Sequence, residues 1–466
     1  MQHDETEIKT VQHRGEERSN ELRRRAAQVE PRALRTFTPS LAVIDRSAGS
    51  YHWTPEGRML ADFSSGVLVA NLGHNPTRWW LRTIEYLGLT NLHDGAPFHP
   101  GAPLTAYNGV TELEVRASER LVACLQAEPG GARCQQVLWA ASGSEAIQKA
   151  LWAALDRRPG ADVILATRHG FHGKKGLAGA VTGCETDAER DARVQFISFP
   201  RSECENIARR RESIDLAPYA AELEALGAKH KGKIACLITE PYLGGGGSYH
   251  PQKEYLQLLE RFCREHDALL ILDEVQANFG RTGSMFAFTT YGVEPDIVVL
   301  GKGLGNGVPV SAAVGRADVF AAMHYGEGSD TWSANPLACA AVLATLDEFH
   351  AHDVLGHAKN LSAIIEEGLT KLAELPAIAH VRGEGVVWGV ECQAVGKHAA
   401  NEVAAAIVEA CYLGNSMGMA IHLLGPLAGK VLRVSPPLVM PLDEARSYLH
   451  VMHEIVQIVG QRLATC

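Results

Sequence analysis

The sequence of 466 residues lacks three features that would direct it to particular classes of protein. Its ten cysteines include no CxxC pair, so we expect no metal site and no disulfide framework, but reduced thiols in a cytoplasmic protein. It has no uncharged apolar run of about 18 residues, so we expect no membrane-spanning helix. Basic residues are in deficit, because 44 Lys and Arg stand against 54 Asp and Glu. The net charge of −10 argues against nucleic acid as a partner.

The first 35 residues carry many charges and few large apolar side chains. Residues 1–9 are polar, which is not typical of a signal peptide. We interpret residues 1–35 as a charged N-terminal arm. The sequence leaves open whether it is an ordered helix, an arm lying on a partner subunit or a frayed end.

Alternating strand and helix patterns fill the middle of the chain. Short, continuously apolar runs end in polar or glycine-rich stretches, as expected for parallel strands that are buried on both faces. This alternation predicts an α/β fold with a mostly parallel, doubly wound sheet, preceded by short strands between Ala42 and Phe63. The predicted strands of the sheet are 162–166, 194–199, 234–238, 268–272, 296–300 and 310–314, and the helices that follow them are 336–349, 361–372 and 401–413.

A capping-box pattern, Ser142 followed three residues later by Glu145, opens an amphipathic stretch. Gly143 would let a ligand approach the backbone, and Ser144 adds a hydroxyl group. Free N–H groups and the positive end of the helix dipole suit a phosphate. The alternative is an ordinary helix cap.

Two charged residues follow buried strands in positions that favour chemistry. Lys302 stands among glycines directly after a strand, where desolvation would lower its pKa and allow a Schiff base with an aldehyde. Asp273 ends the most apolar strand, where a pyridinium nitrogen would be a suitable cationic partner. The alternatives are a solvated loop lysine and a structural salt bridge.

Further candidates flank these two residues. Period two places Val275 on the side of Asp273, and Gln276 could hydrogen-bond a phenolic oxygen. Phe171, beside His172 and Gly173, could stack on a flat cofactor or could simply pack in the core.

Taken together, these segments resemble the class III pyridoxal-phosphate aminotransferases, which include the 4-aminobutyrate, ornithine and acetylornithine enzymes and the related dialkylglycine decarboxylase. The resemblance runs from about residue 37 to the C-terminus. It implies a fold type I transferase with a small domain built from both chain ends (residues 36–90 and 341–466) and a large cofactor-binding domain (residues 91–340). The shared segments are 142–146, 172–173, 240–241, 270–276, 280–283, 295–296, 301–302 and 335–336.

The resemblance also implies a role for each matching residue. The cofactor is pyridoxal 5′-phosphate, and the substrates are an amino donor and a 2-oxo acid in a ping-pong reaction. Thr331 would reach the phosphate of the cofactor in the neighbouring subunit. This role implies a homodimer, or a tetramer, with active sites at the interface. The other roles are Lys302 as the Schiff-base lysine, Asp273 at the pyridine nitrogen, Val275 behind the ring, Gln276 near the ring oxygen, Phe171 on the open face with His172 beside it, Gly143 and Ser144 at the phosphate, and Arg433 on the substrate carboxylate.

Two positions depart from the family pattern. Many members carry a glutamate five residues after Glu240, which pairs with the arginine and lets one site accept two kinds of amine. Here that position is Gly245. Arg433 would then stay free for a carboxylate in both half-reactions or swing away for a neutral amine. Lys174 replaces an arginine and could hold a second acidic group or have no role.

Other reactions remain open at this point. Racemisation or epimerisation, decarboxylation and aminomutase chemistry share the same cofactor chemistry, and a scaffold without activity is a further alternative. A serine hydrolase would use the G-x-S-x-G pattern at residues 414–418 with Asp443 and His453. The predicted helix before that pattern disfavours it, because a nucleophile elbow follows a strand.

Overall fold

The computed structural model describes residues 10–95, 97–188 and 190–465. Within these ranges, short 3₁₀ helices lie at Arg32–Leu34, Lys302–Leu304 and Lys371–Glu374. The strands are β1 (Arg46–Ala48), β2 (Tyr51–Trp53), β3 (Met59–Asp62), β4 (Gln136–Ala140), β5 (Val163–Thr167), β6 (Val194–Ile197), β7 (Ile234–Thr239), β8 (Leu269–Asp273), β9 (Ile297–Leu300), β10 (Ser311–Gly315), β11 (Ile378–Glu384), β12 (Val387–Cys392), β13 (Ala420–His422) and β14 (Val431–Val434). The helices are α1 (Glu17–Val29), α2 (Ser65–Leu68), α3 (Thr77–Tyr86), α4 (Glu112–Gln126), α5 (Gly143–Asp156), α6 (Gly176–Ala180), α7 (Ile207–Arg210), α8 (Ala217–Lys229), α9 (Lys253–Glu265), α10 (Ala287–Tyr291), α11 (Ala317–Phe320), α12 (Pro336–Ala351), α13 (Val354–Thr370), α14 (Ala400–Leu413) and α15 (Leu442–Thr465).

A seven-stranded sheet forms the centre of the fold. Its order is β4-β10-β9-β8-β7-β5-β6, and the five strands from β9 to β6 are parallel. Every residue of β5, β7, β8 and β9 is buried, which explains why these strands read as continuous apolar runs. The predicted α/β class with a mostly parallel sheet is confirmed.

Two features of this sheet differ from the expectation. Strand β10 was predicted, but it runs antiparallel to both β9 and β4. Strand β4 was not predicted, because only its last two residues are fully buried and it lacks a continuous apolar run. An apolar run indicates burial on both faces but not the direction of the strand.

The predicted C-terminal helices are present with shifted ends. The segment predicted as 336–349 forms α12, whose start is capped by Asn335: its side-chain oxygen accepts from the backbone N–H of Leu337 at 3.0 Å. The segment 361–372 belongs to the longer α13, and 401–413 to α14. Asparagine followed by proline is a strong signal for the start of a helix. The asparagine side chain accepts from a free N–H group of the first turn, and the proline has no N–H group that needs a partner.

Both ends of the chain contribute to the smaller sheets. Strand β13, from the C-terminal part, pairs in parallel with β3 in a sheet of order β1-β2-β3-β13. Strands β11, β12 and β14 form a separate antiparallel sheet. The mixed small unit built from both chain ends therefore exists, while the domain boundaries at residues 35, 90 and 340 stay predictions.

Part of the N-terminal arm is an ordered helix on its own chain. Arg23 in α1 donates to the Glu16 carboxylate at 2.8 Å and to the Tyr412 hydroxyl at 3.1 Å, and Tyr412 belongs to α14. Arg23 and Glu16 are both buried, so this contact anchors the helix. Residues 1–9 of the predicted arm lie outside the described residues. No helix in the described ranges is both long and apolar enough to cross a membrane.

Candidate active site

The ends of the parallel strands bring the predicted residues together. Glu240 directly follows β7, Asp273 ends β8, and Lys302 follows β9 after one glycine. Because the carboxyl ends of parallel strands meet at one edge of a sheet, these side chains surround a single cavity of about 340 Å³. Its lining includes eight predicted site residues: Gly143, Ser144, Phe171, His172, Asp273, Val275, Gln276 and Lys302.

The amine of Lys302 is held in a desolvated position. The residue opens a 3₁₀ turn and has a φ of +49°, a left-handed backbone that L-residues seldom adopt. Burial lowers the pKa of Lys302 to about 8, although the negative charges of Asp273 and Glu240 oppose the shift. A lowered pKa increases the neutral, nucleophilic fraction of the amine near pH 7, which is what a Schiff-base lysine requires.

This shift predicts a distinct pH dependence for Lys302. In the cofactor-free enzyme, we expect labelling of Lys302 by an amine-reactive reagent to rise with a midpoint near pH 8. Only the deprotonated amine reacts with the reagent. Because burial lowers the pKa of Lys302, this amine loses its proton at a lower pH than an exposed lysine, and labelling begins at a lower pH. Competitive labelling followed by peptide mass spectrometry measures it, with exposed Lys371 as the internal control. Parallel profiles for the two lysines would contradict the prediction.

Asp273 is fixed by two neighbours. One carboxylate oxygen accepts from the backbone N–H of Val275 at 3.0 Å, and the other lies 2.7 Å from Nδ1 of His172. Both side chains are buried. The sequence grouped His172 with Phe171 but gave no sign of this contact, because His172 and Asp273 are 101 positions apart. His172 therefore orients the carboxylate.

Glu240 organises the floor of the cavity. Its carboxylate accepts from the N–H of Phe171 at 2.9 Å and from the N–H of Gly244 at 3.2 Å, so it joins two loops. Burial raises the pKa of Glu240 to about 7. The shared segment 240–241 includes Glu240, but the sequence did not reveal its two backbone contacts.

The glycine loop at 244–247 packs closely against the site. A Cβ atom on Gly245 would lie 2.9 Å from Cβ of Phe171, and one on Gly244 would lie 2.5 Å from Oε1 of Gln276. Real Cβ atoms do not approach that closely, so a side chain at either position would displace its neighbour. The space beside Gly245 is therefore occupied by Cβ of Phe171.

The start of α5 forms a cradle at the opposite wall. The capping box is present, with Glu145 accepting from the N–H of Ser142 at 2.9 Å. A Cβ atom on Gly143 would lie 3.3 Å from Val275, so glycine keeps the backbone close to the cavity. The 14-residue helix directs its N-terminal N–H groups to this place.

Arg433 lies in β14, just behind the lining residue Gln276. It is buried, and its Nη1 donates to Oε1 of Gln276 at 3.0 Å. Burial lowers the pKa of Arg433, and the nearby Tyr242 and Glu240 act in the opposite direction. Arg433 therefore contacts a neutral amide group, and within the described ranges it forms no ion pair. Its Nε atom is buried and has no hydrogen-bond partner among those residues.

Besides Arg433, which is not a lining residue, two predicted residues lie outside this cavity. Lys174 is exposed and is not part of the lining. Thr331 is exposed in the turn before α12, and its carbonyl accepts from the hydroxyl of Thr105 at 3.3 Å. The roles suggested for both residues stay predictions.

The serine-hydrolase alternative has no support in the structure. Gly414 directly follows helix α14 rather than a strand, so the segment 414–418 does not form a nucleophile elbow. The side chain of Asp443 is 98% exposed on α15, where it could not be a buried partner of a catalytic histidine.

The fold and the cavity define a class of protein. A mostly parallel sheet carries a desolvated lysine, a fixed carboxylate and a helix N-terminus around one cavity. These groups suit the aldehyde, ring nitrogen and phosphate of pyridoxal phosphate. The fold agrees with solved aminotransferase structures. A Bacillus anthracis aminotransferase has a TM-score of 0.79 at 24% identity, covering 95% of this chain and 99% of the other.

Sequence comparison places the chain in a family. The model of "Aminotransferase class-III" matches residues 103–456, so the chain belongs to the class III aminotransferases, enzymes that use pyridoxal phosphate. An acetylornithine aminotransferase of Agrobacterium fabrum is 31% identical over 89% of this chain and 93% of its own length. A leucine/methionine racemase of Thermococcus litoralis is 29% identical over 92% of this chain and 94% of its own length. A PLP-bound amine transaminase from an uncultivated Pseudomonas species has a TM-score of 0.75 at 26% identity, covering 94% and 97%.

Proposed function

We propose that this aminotransferase exchanges an amino group between two carboxylate-bearing substrates, an amino acid and a 2-oxo acid. The proposal rests on one observation: the buried Arg433 contacts the neutral amide of Gln276 and has no acidic partner in the described ranges. A planar guanidinium suits a bidentate carboxylate. Because Gly245 supplies no competing carboxylate, Arg433 is available to the substrate in both half-reactions.

Lys302 and Asp273 would carry the chemistry. When bound, pyridoxal phosphate supplies an aldehyde and an electron-withdrawing ring that stabilises negative charge on the substrate carbon. The amine of Lys302, whose pKa burial lowers to about 8, would remove the proton from the substrate carbon in the first half-reaction and would donate a proton to the corresponding carbon of the 2-oxo acid in the second. Asp273, oriented by His172, would hold the ring nitrogen of the cofactor protonated.

The remaining residues would bind and orient the cofactor. Gly143 and Ser144 at the start of α5 would hold the phosphate, and Val275 would support one face of the ring. Phe171 would cover the other face. Its backbone is positioned by Glu240, and the space around it is limited by Gly245. Gln276 accepts a hydrogen bond from Arg433 and would also contact the ring oxygen of the cofactor.

A substrate panel tests the proposed pairing. We expect amino acids with a carboxylate to convert the bound cofactor to its amine form faster than matched amines in which that carboxylate is replaced by hydrogen. A 2-oxo acid should then restore the aldehyde form. Absorbance in single-turnover experiments follows both steps. A preference for neutral amines would contradict the role of Arg433, and product formation without a 2-oxo acid would indicate racemisation or decarboxylation instead.

We also propose a homodimer, built around an exposed apolar patch near Thr331. The patch comprises Leu104, Tyr107, Val110, Tyr325 and Trp332, all more than half exposed. The hydrogen bond between Thr105 and Thr331 joins the two segments that carry it, and Tyr107, Val110 and Tyr325 line a cavity of about 980 Å³. Apolar patches of this kind mark protein interfaces.

A subunit-mixing experiment tests the dimer. If Thr331 serves the neighbouring site, hybrids of Lys302→Ala and Thr331→Ala subunits contain one site with both defects and one intact site. We therefore expect mixing the two variants to restore activity, and sedimentation velocity to give a dimer or tetramer. No gain on mixing, or a monomer in solution, would contradict the proposal.

We propose that the protein is located in a reducing compartment, the cytoplasm, because its cysteine thiols are free. The nine cysteines in the described ranges are all free, and seven of them are buried. Burial raises the pKa of Cys124 to about 11 and that of Cys134 to about 12, so these thiols are unreactive. Unpaired thiols in such number are typical of reducing compartments.

A further inference from the structure

A second group of chemically active side chains lies in the four-stranded sheet. His52 is the central residue of β2, Asp62 is the last residue of β3, and His74 follows twelve residues beyond that strand. Nε2 of His52 is 3.6 Å and Nε2 of His74 is 2.7 Å from the same carboxylate oxygen of Asp62. One ligand atom from each residue lies within 4.8 Å of the other two.

The carboxylate of Asp62 requires a positive partner. Its side chain is fully buried. One oxygen accepts from the hydroxyl and N–H of Ser64 and from the N–H of Ser65, so the other oxygen is left to the histidines. In the described part of the chain, no Lys or Arg forms an ion pair with Asp62. A buried charge of this kind is stabilised by a cation, either an imidazolium or a metal ion.

Neighbouring side chains orient the histidine rings in the way that is usual for metal ligands. The hydroxyl of Ser47 lies 2.7 Å from Nδ1 of His52, which turns Nε2 of that ring toward Asp62. Metal-binding histidines usually have such a partner on their second nitrogen, because it fixes the tautomer and the ring orientation. The ring of His422, in β13, packs edge-on against His52 at 5.2 Å. Its Nδ1 is buried, with no hydrogen-bond partner in the described ranges.

We propose that His52, Asp62 and His74 bind a divalent transition-metal ion, with Zn²⁺ the best match. Two imidazoles and one carboxylate are a zinc donor set, with bonds of about 2.0–2.2 Å. The 3.6 Å separation between His52 and Asp62 suits two ligands on one tetrahedral ion, whereas the His74 contact would widen on binding.

The ion would connect parts of the chain that meet near the active site. Asp62 and His74 bracket a loop that includes Val69, a lining residue of the cavity around Lys302. The C-terminal part of the chain lies beside this site, because β13 pairs with β3 and the ring of His422 packs on His52. A metal ion bound only in the folded state would therefore stabilise the fold and stiffen this loop.

Metal analysis of the tag-free holoenzyme tests the site. After dialysis against a chelator and then against Zn²⁺, we expect one tightly held zinc ion per subunit in the natural protein. The His74→Gln variant, changed at the most accessible ligand, should bind zinc at least about tenfold more weakly. His450→Gln is the matched control, because His450 is 74% exposed on α15 and far along the chain from the cluster. It should bind zinc as the natural protein does.

Cobalt substitution and thermal melting give independent readouts. Co²⁺ in this site should show the visible absorption of a tetrahedral ion, which Asp62→Asn and His74→Gln should weaken. Zn²⁺ should raise the melting temperature of the natural protein and of His450→Gln. No zinc retained by the natural protein, or equal binding by His74→Gln, would overturn the proposal and leave a metal-free network of hydrogen bonds. If His74→Gln does not fold, the natural protein's cobalt spectrum and zinc content decide.

Discussion

Alanine in place of Lys302 should abolish amino transfer while the cofactor still binds noncovalently. The variant loses the buried amine that both forms the covalent link and moves the substrate proton. We therefore expect kcat to fall by about 10⁴-fold or more. The cradle at α5 and the carboxylate of Asp273 are unchanged, so equilibrium dialysis should still detect bound pyridoxal phosphate. Single-turnover absorbance with an amino acid measures the chemical step.

Borohydride reduction separates the role of Lys302 from a general loss of structure. Reduction of the natural enzyme should leave the cofactor's mass on the peptide that contains Lys302, and the alanine variant should show no such adduct. Lys371→Ala is the matched control, because its side chain is 61% exposed and lies away from the cavity. It should keep the adduct and the activity. Full activity in the Lys302 variant would refute the assigned site.

The second large effect concerns Arg433. Removing this buried guanidinium should weaken transition-state stabilisation for carboxylate substrates by about 2–4 kcal/mol, the scale of an unpaired charge-assisted contact. This corresponds to a fall of roughly 30- to 1,000-fold in kcat/KM. We expect the loss for both the amino acid and the 2-oxo acid, because Gly245 provides no alternative partner that would restrict Arg433 to one half-reaction.

A neutral substrate provides the control for Arg433→Ala. An amine without a carboxylate gains nothing from the arginine, so its rate should change much less in the variant. Arg446→Ala, on the exposed face of α15, should leave all rates unchanged. Unchanged kinetics of Arg433→Ala with a 2-oxo acid would show that another cation holds the carboxylate, and Lys174 would be the next residue to replace.

Local patterns were sufficient where a residue's position follows from one strand. Lys302 and Asp273 directly follow or end continuous apolar runs, and the edge of a parallel sheet is where such residues meet. The cap at Ser142 and the helix start at Asn335 are also local, because both depend on hydrogen bonds within a few residues. These features are present where they were predicted, with strand and helix ends shifted by a few positions.

Contacts between distant segments were not predictable in the same way. The sequence placed Gln276 near a ring oxygen, and the structure shows it bound to Arg433, 157 positions away. It gave no sign that His172 orients Asp273. The absence of a cysteine pair argued against a metal site, yet His52, Asp62 and His74 converge because two strands and a loop pack together.

The sequence by itself determined the class of fold, the family and the lysine and aspartate at the strand ends. These depend on apolar runs and short motifs, whose residues are close together in the sequence, so they can be recognised without the tertiary structure. Only the tertiary structure decided the direction of β10, the partner of Arg433, the close packing of Gly245 on Phe171 and the grouping of histidines around Asp62. Each of these depends on side chains far apart in sequence that are brought within a few ångströms by packing.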